Sequence, residues 1–271
     1  MTHLLYKDEK STSVTKGMTV AIPATIIECP PLKPVALRLY NQTPIGLLLV
    51  AQFFSDHLPK GMKKPVTSST MPSAFSVVRL VVVTQPEKTG FGKKQHDMTE
   101  LQVSGKTPQD AYNYAKELLS KQELKVSDIF KEGQFVDVHG VTKGKGFQGT
   151  VKRYGVKIRQ HKSEKTKRGI GTLGPWTPKR VLWTVAQAGK MGYHKRSEYN
   201  KYIIKINAKP EDINPLGGLV RYGLVKNEYL LLKGSVPGPK KRPILLTAPQ
   251  RNPQYKEQIT GISYIHKGSQ Q

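Results

Sequence analysis

The side chains most able to do chemistry are concentrated between Gly140 and Arg196. Fifteen lysine and arginine residues fall in this segment, and a single acid, Glu164, opposes them. Like charges at this density repel one another, and residues 157–172 show no apolar pattern that could bury them. We therefore expect the segment to hold a shape only when a polyanion neutralises it. Nucleic acid is the polyanion that this charge favours.

The residues expected to contact nucleic acid are of three kinds. Lysine and arginine neutralise phosphates, glycine lets the backbone approach them, and histidine and tryptophan can stack on bases or donate hydrogen bonds. Most lie in the segment just described, and three lie in a stiff basic loop that follows Ser235. The predicted RNA-binding residues are Lys143, Gly144, Lys145, Gly146, Gly149, Lys152, Arg153, Lys157, Arg159, His161, Lys162, Lys165, Lys167, Arg168, Trp176, Lys179, Arg180, Lys190, His194, Lys195, Arg196, Lys240, Lys241 and Arg242.

One glycine pattern in this set also permits a second interpretation, a dinucleotide site. Residues 144–149, Gly-Lys-Gly-Phe-Gln-Gly, match the G-x-G-x-x-G loop of such sites. That loop must open a helix whose N-terminus faces the pyrophosphate, whereas residues 150–155 are β-prone and no acid follows where a ribose partner should be. The pattern instead predicts close approach to a phosphodiester backbone, and no cofactor is expected.

The two tryptophans receive different predictions. Trp176 lies between Pro175 and Pro178, and its ring could be buried beneath a turn. Its flanks are basic and not apolar, however, which favours a stiff loop tip that presents the ring to bases or to folded RNA. Trp183 lies within Val-Leu-Trp-Thr-Val, and its apolar neighbours predict a place in a core.

Residues suited to catalysis or metal binding are scarce. The seven histidines are scattered without pairs at ligand spacing, so no metal site is expected, and His139 is expected to pack or hydrogen-bond in a core. An RNA-modifying enzyme or nuclease that holds its substrate with the basic segment is an alternative. Glu164 is the only carboxylate it could use there, without a second acid or an activated nucleophile. We therefore predict no catalytic residue and no small-molecule substrate.

The charge of the whole chain is unevenly distributed. The formal net charge is +25 over 271 residues; residues 131–209 contribute +15, and the segments before and after them contribute +5 each. The middle of the chain is therefore the predicted binding element, and the flanks are typical of an ordinary globular body.

Three observations concern the cellular setting. Cys29 is the single cysteine, so a disulfide within the chain is impossible, which fits a reducing compartment. The longest apolar run, residues 45–54, is shorter than the ~20 residues that span a bilayer. The N-terminus lacks the charged-then-apolar layout of a signal sequence. The sequence therefore predicts an intracellular protein without a membrane partner.

The flanks of the basic segment must position it, and their patterns predict mainly β structure. Residues 45–58 could be a strand or a buried helix, because their length and spacing favour neither. The other predicted strands are short and are separated by glycine and proline, which favours an all-β barrel or sandwich core. These strands are residues 18–27, 35–40, 77–84, 98–103, 134–141, 150–158, 202–206, 229–232 and 244–247.

The clearest helix start in the sequence is Thr107-Pro-Gln-Asp110. Thr107 can cap the helix, proline suits its first position, and Asp110 complements the positive end of the helix dipole. Apolar residues at helical spacing continue to about Lys121. Residues 42–125 are therefore expected to form an α+β insert within the β body, which comprises residues 1–41 and 126–271.

Several motifs resemble, in the same order, the signature of the universal large-subunit ribosomal protein three family. The insert, residues 42–125, and the closing Ser-Val-Pro-Gly-Pro loop, residues 235–239, are similar to the archaeal and eukaryotic branch. The resemblance extends from about Met1 to the C-terminus. The matching motifs are residues 135–149 (Phe-Val-Asp-Val-His-Gly-Val-Thr-Lys-Gly-Lys-Gly-Phe-Gln-Gly), 165–171 (Lys-Thr-Lys-Arg-Gly-Ile-Gly), 174–178 (Gly-Pro-Trp-Thr-Pro), 188–194 (Ala-Gly-Lys-Met-Gly-Tyr-His) and 234–242 (Gly-Ser-Val-Pro-Gly-Pro-Lys-Lys-Arg).

The resemblance implies both a fold and a function. It implies a translation-factor-like β-barrel body on the outside of the large ribosomal subunit. It also implies a long basic loop extension, residues 143–196, that reaches through ribosomal RNA toward the peptidyl-transferase centre with Trp176 at its tip. Early binding during subunit assembly, contacts with neighbouring large-subunit proteins and a structural role in the cytoplasm follow from the same resemblance.

The chain departs from the family pattern at two places. Lys167 stands where eukaryotic members carry a modified histidine before Arg-Gly, so that modification is not expected here. Family members usually begin with a basic, glycine-rich arm, whereas this chain starts near the middle of the expected first strand. Either the start is assigned too late or the arm is missing, and its RNA contacts are not expected from these residues.

Overall fold

The fold was derived from a computed structural model, which describes residues 1–59, 61, 70–72, 74–163, 165–251, 253, 259 and 261–268. Glu164 therefore lies outside the described residues. Within them the chain is mainly β, as the sequence predicts. The strands are β1 Thr2–Lys7, β2 Thr19–Glu28, β3 Lys33–Thr43, β4 Gly46–Phe54, β5 Val77–Val83, β6 Met98–Val103, β7 Phe135–Val141, β8 Phe147–Gln148, β9 Gly189–Lys190, β10 Lys195–Asn207, β11 Tyr229–Lys233, β12 Leu245–Thr247 and β13 Ile262–Ile265.

Helical structure is the minor component of the described residues. There the α-helices are α1, Pro108–Ser120, and α2, Thr150–Tyr154, and single 3₁₀ turns occupy Pro86–Lys88, Val126–Asp128 and Pro210–Asp212. In the part of the chain that the structure describes, no helix combines the length and the apolar character needed to cross a membrane.

Helix α1 begins where the sequence predicts. The Thr107 hydroxyl accepts a hydrogen bond from the Asp110 N–H at 3.2 Å, and the Asp110 carboxylate accepts one from the Thr107 N–H at 3.1 Å. This reciprocal capping box satisfies two backbone donors that a helix end otherwise leaves unpaired. Ala111 and Ala115 are buried on the inner face of the helix.

A four-stranded antiparallel sheet in the order β4-β3-β5-β6 lies against α1. Of the ambiguous residues 45–58, Gly46–Phe54 form a strand, β4. Six of the seven residues of β5 are apolar because both faces of the strand are covered: Val78 packs with Ala111 and Ala115, whereas Val81 packs with residues of β3 and β4. The sheet includes β3, which begins at Lys33. The expected insert at residues 42–125 stays a prediction.

The chain divides into two compact units. The first comprises Met1–Val136, Asn200–Ser235 and Arg251–Gln271, and the second comprises Asp137–Tyr199 and Val236–Gln250. In the first unit the antiparallel strands follow the order β10-β11-β2-β1-β13. Their shared core includes the fully buried residues Leu4, Tyr229 and Leu231. Closure of these strands into a barrel, with residues 1–41 and 126–271 as its body, stays a prediction.

The second unit is smaller and holds the basic segment. Strands β12 and β7 pair in antiparallel register, with Leu246 opposite Val138. The His139 ring is hydrogen-bonded at both nitrogens, to the Ser197 hydroxyl at 2.7 Å and to the Thr247 hydroxyl at 3.1 Å. This confirms the structural role predicted for His139.

A strand predicted at residues 150–158 is wrong, because this segment begins with helix α2. Gly155, at φ +70°, ends the helix in the left-handed conformation and donates its N–H to the Val151 carbonyl at 3.0 Å. The Thr150 hydroxyl donates to the Arg168 carbonyl at 3.1 Å, and the Arg153 guanidinium donates to the Gln187 carbonyl at 2.7 Å. These contacts join residues far apart in sequence and override the local β propensity.

A charged cluster on the four-stranded sheet makes the first unit sensitive to acid. The Glu100 carboxylate accepts hydrogen bonds from the Tyr40 hydroxyl at 3.1 and 3.0 Å and from the guanidinium groups of Arg38 and Arg79. Burial acts to raise the pKa of Glu100, but the hydrogen bonds from Tyr40 and Arg38 outweigh it and hold the pKa below the ordinary value. The ionised form therefore stabilises the fold at neutral pH, and this contribution is lost as the pH falls through the lowered pKa.

We predict that Glu100→Gln lowers the free energy of unfolding at pH 7 by about 1–3 kcal/mol, because it weakens hydrogen bonds to charged groups. The difference from the wild-type chain should narrow below about pH 4.3, where the carboxyl of the unfolded chain becomes protonated. Urea titrations at pH 7 and at pH 3 measure both effects. Glu123→Gln is the matched control, because Glu123 pairs with Lys88 at the surface and should cost only about 0.5 kcal/mol. If the difference in unfolding free energy between wild type and Glu100→Gln stayed constant with pH, the stabilising role of the ionised Glu100 would be contradicted.

Candidate nucleic-acid interface

The basic segment is built on a two-stranded ribbon within the second unit. Strand β8 pairs with β9 in antiparallel register, with Phe147 opposite Lys190. The Lys145 N–H donates to the Met191 carbonyl at 2.9 Å, and the Met191 N–H donates to the Gly146 carbonyl at 2.9 Å. Two segments that are distant in sequence, residues 142–149 and 189–194, thus place their lysines beside one another.

Gly192 permits the closest approach in this ribbon. Its φ is +72°, in the left-handed region that residues with a Cβ rarely adopt. A Cβ added there would collide with the carbonyl oxygen of Lys143. Gly144 is different, because an added Cβ would make only an ordinary contact with Tyr193, at 3.6 Å. The glycine on which the ribbon depends was therefore not among those predicted to matter.

We expect Gly192→Ala to destabilise the second unit by about 2 kcal/mol or more, because the left-handed conformation alone costs a residue with a Cβ about 1–2 kcal/mol and the collision adds to it. Denaturant unfolding followed by amide exchange of residues 142–149 measures the loss. Gly144→Ala in the same ribbon should change stability by less than about 1 kcal/mol. Equal effects of the two substitutions would contradict the role of Gly192.

Two arginines of the predicted set hold the loop after α2 and its surroundings in place. The Arg159 N–H donates to the Lys167 carbonyl at 3.1 Å, and its guanidinium donates to the Ile170 carbonyl. The Arg153 guanidinium, which donates a hydrogen bond to the Gln187 carbonyl, lies 5.1 Å from the centroid of the Tyr154 ring. The partners described for these two arginines are neutral carbonyl groups and a neutral ring, which do not cancel the positive charge of either side chain.

The basic loop that follows Ser235 and contains Lys240, Lys241 and Arg242 belongs to the same unit. The Arg242 guanidinium donates to the carbonyl groups of Val141 and Thr142, at 3.1 Å each, and lies 5.2 Å from the centroid of the Tyr193 ring. Lys240 and Lys241 are exposed. Arg242 therefore orients the start of the ribbon.

The remaining predicted residues are mostly accessible. His161 is exposed, whereas His194 is half-buried and donates its backbone N–H to the Thr142 hydroxyl at 3.1 Å. Gly146 and Gly149 have open space where a Cβ would be. The basic side chains that are exposed are Lys143, Lys145, Lys152, Lys157, Lys162, Lys165, Lys167, Arg168, Lys179, Arg180, Lys190, Lys195 and Arg196.

Trp176 lies in a stretch, residues 171–184, in which every residue is exposed. Its side chain is 82% exposed, so the buried alternative is wrong. The Lys179 N–H donates to the Trp176 carbonyl at 2.8 Å, and the Lys179 ammonium lies 5.7 Å from the centroid of the indole. The turn therefore presents a cation and an aromatic plane together.

The prediction that Trp183 lies in a core is also wrong, because its side chain is 94% exposed. The apolar neighbours Val181 and Leu182 are exposed as well, and Val185 closes a turn by donating its N–H to the Leu182 carbonyl at 3.2 Å. An apolar run outside a sheet or helix has no face that must turn inward. The nearby basic residues, which supported exposure of Trp176, were the signal that could have identified Trp183.

The described residues contain no group of three His, Cys, Asp or Glu side chains that could hold a metal ion. What the second unit assembles is instead a surface of exposed lysine and arginine side chains interleaved with exposed aromatic rings. Such a surface is suited to contact with phosphates and unstacked bases.

Comparison with known proteins points to one family. The model of the family described as Ribosomal protein L3 matches residues 1–71 and 66–271. The large ribosomal subunit protein uL3 of Methanothermobacter thermautotrophicus is 43% identical over 289 residues, which cover 100% of this chain and 86% of the relative. The protein of the same name from Methanobrevibacter smithii is 43% identical over 288 residues (100% and 85%), and that from Methanopyrus kandleri is 39% identical over 289 residues (100% and 80%). Since both the family model and these relatives match along the whole length, the chain belongs to the ribosomal protein L3 family.

Proposed function

We propose that this chain is a structural constituent of the large ribosomal subunit in the cytoplasm and that it binds large-subunit ribosomal RNA through residues 143–196. The relatives to which it is most similar among those described carry the name of a large-subunit protein. A structural role, and not catalysis, is the function that family membership supports.

The observation that carries the proposal is the composition of the exposed stretch at residues 171–184 and its basic surroundings. Trp176 and Trp183 are almost fully exposed, within a segment whose exposed lysines and arginines are opposed in sequence by Glu164 alone. An isolated protein gains nothing by exposing large indole rings in a field of like charge. Folded RNA supplies both the phosphates for the cations and the bases for the rings.

The predicted residues would then have distinct roles. The exposed lysines neutralise phosphates, the open backbone at Gly146 and Gly149 allows phosphates to approach, and Trp176 stacks or wedges at the tip of the extension. Arg153, Arg159 and Arg242 hold the backbone that presents these groups. Trp183 adds a second aromatic contact that the sequence pattern did not predict.

The family resemblance supports two finer proposals. The extension would reach through ribosomal RNA toward the peptidyl-transferase centre, and the chain would bind early in subunit assembly beside neighbouring large-subunit proteins. An RNA-modifying enzyme or nuclease finds no support in the family match, and the one acid it could use, Glu164, lies outside the described residues.

Co-sedimentation tests the proposal. In a cell lysate the protein should travel with large ribosomal subunits on a sucrose gradient and should stay bound through a moderate salt wash. Purified protein should bind large-subunit RNA with an affinity that falls by orders of magnitude over a modest rise in salt, since several phosphates are neutralised. Migration with the soluble fraction, or binding insensitive to salt, would overturn it.

A further inference from the structure

We propose that the second unit contains a binding site for a single unstacked nucleotide of RNA, formed where the ribbon of β8 and β9 meets helix α2. This proposal rests on the proposed function and specifies what one part of the interface recognises. The site is a concavity of about 530 Å³ whose walls come from residues 142–154 and 190–196.

Positive charge surrounds this concavity. Lys143, Lys145, Lys190 and Arg196 contribute to its walls, and no carboxylate is among the described residues that line it. The two ribbon segments meet here because Gly192 lets their backbones cross closely. Because these cations come from two segments, they can contact the phosphates on both sides of one nucleotide. A single row of lysines along one strand could contact only one side.

Tyr154 supplies a stacking platform at the edge of this site. It is the last residue of α2, and 55% of its side chain is exposed. The Arg153 guanidinium lies 5.1 Å from the centroid of its ring and is itself held by the Gln187 carbonyl at 2.7 Å. A base that stacks on Tyr154 would therefore extend a stack of the Arg153 guanidinium and the Tyr154 ring that is already ordered in the free protein. Met191 and His194 also line the site, so a base would meet polarizable groups as well as charge.

The size of the concavity favours one nucleotide over a paired helix. Pockets of roughly 300–1,000 Å³ hold ligands of drug-like size, and a nucleotide is such a ligand. Bases within a duplex expose only their edges, whereas a base that is bulged or looped out offers a face for stacking. A flat basic surface would serve a duplex equally well, so the concave shape and the exposed ring are the features that select an unstacked nucleotide.

The test compares two RNA hairpins that differ by one bulged nucleotide. The full-length chain should bind the bulged hairpin more tightly than the fully paired one, by roughly five- to a hundredfold, for at least one of the four bases. Tyr154→Leu should abolish this preference and leave the affinity for the paired hairpin within about twofold, because the phosphate contacts persist. Tyr154→Phe should keep the preference, since the ring is retained.

Tyr199→Leu is the matched control, because Tyr199 lies in the same unit, is 54% exposed and is not part of the site. A fluorescent aminopurine placed at the bulge reports stacking directly. The wild-type chain and the Tyr199→Leu variant should quench its fluorescence, and the Tyr154→Leu variant should not.

Three results would overturn the proposal. If binding is salt-sensitive but equal for both hairpins with all four bases, the nucleotide site is wrong and the proposed function stands. If Tyr154→Leu keeps both preference and quenching, the site lies elsewhere on the chain. Absence of salt-sensitive binding to either hairpin would instead overturn the proposed function together with the site.

Discussion

Replacing six exposed lysines of the basic extension by glutamine should lower the affinity for large-subunit ribosomal RNA by roughly a thousandfold at low salt. The physical reason is the release of counterions: each phosphate that a lysine neutralises frees condensed cations into solution. The plot of log affinity against log salt should become shallower by roughly 4–5 units for six lost contacts. Filter binding over a salt series measures both quantities. The lysines chosen are Lys143, Lys145, Lys152, Lys157, Lys190 and Lys195.

A second variant with the same change in net charge separates local from global electrostatics. It replaces six exposed lysines of the first unit and should alter the affinity by less than about tenfold, because screening confines a charge to about 10 Å at 0.1 M salt. If the two variants lose affinity equally, net charge and not the extension determines binding. The control lysines are Lys7, Lys10, Lys16, Lys106, Lys116 and Lys121.

Trp176→Ala and Trp183→Ala should each weaken RNA binding by roughly five- to a hundredfold while leaving the fold intact. Both side chains are almost fully exposed, at 82% and 94%, so their removal deletes no core contact. The free energy of unfolding should stay within about 0.5 kcal/mol of the wild-type value, as is usual for surface substitutions. Denaturation monitored by circular dichroism measures the free energy of unfolding. Reconstitution of the chain into large subunits measures RNA binding separately.

Tyr114→Ala provides the aromatic control for the tryptophans. Tyr114 is 52% exposed on α1 in the first unit, outside the proposed interface, and its loss should leave RNA binding unchanged. Global unfolding of either tryptophan variant would refute an exposed role for that ring. Unchanged binding of Trp183→Ala with weakened binding of Trp176→Ala would restrict the aromatic contact to Trp176 and remove Trp183 from the interface.

Features that depend on neighbouring residues alone could be predicted from the sequence. The capping box of Thr107 and Asp110 is local, so the start of α1 was predicted correctly. The nearly continuous apolar run of residues 77–84 similarly predicted a strand, which the structure has as β5. Charge is a property of composition, and the exposed basic segment could be recognised without knowledge of its partners in space.

Features that depend on distant residues could not be predicted in this way. Helix α2 replaced an expected strand because Thr150 and Arg153 bond to carbonyl groups of Arg168 and Gln187. Trp183 was assigned to a core from its apolar neighbours, although no element of the unit covers it. Propensity scales describe a residue and its neighbours, whereas these outcomes depend on long-range hydrogen bonds and on the absence of a facing layer.

The sequence by itself determined that the chain carries a basic, glycine- and tryptophan-containing segment within a mainly β body, and its motifs indicated the family. Only the tertiary structure decided that residues 142–149 lie beside residues 189–194, that Gly192 permits this crossing, and that the resulting concavity places Tyr154 among five lysine and arginine side chains. The physical reason is that charge and capping depend on residues close together in sequence, whereas a concave site exists only after backbone hydrogen bonds have joined segments far apart in the chain.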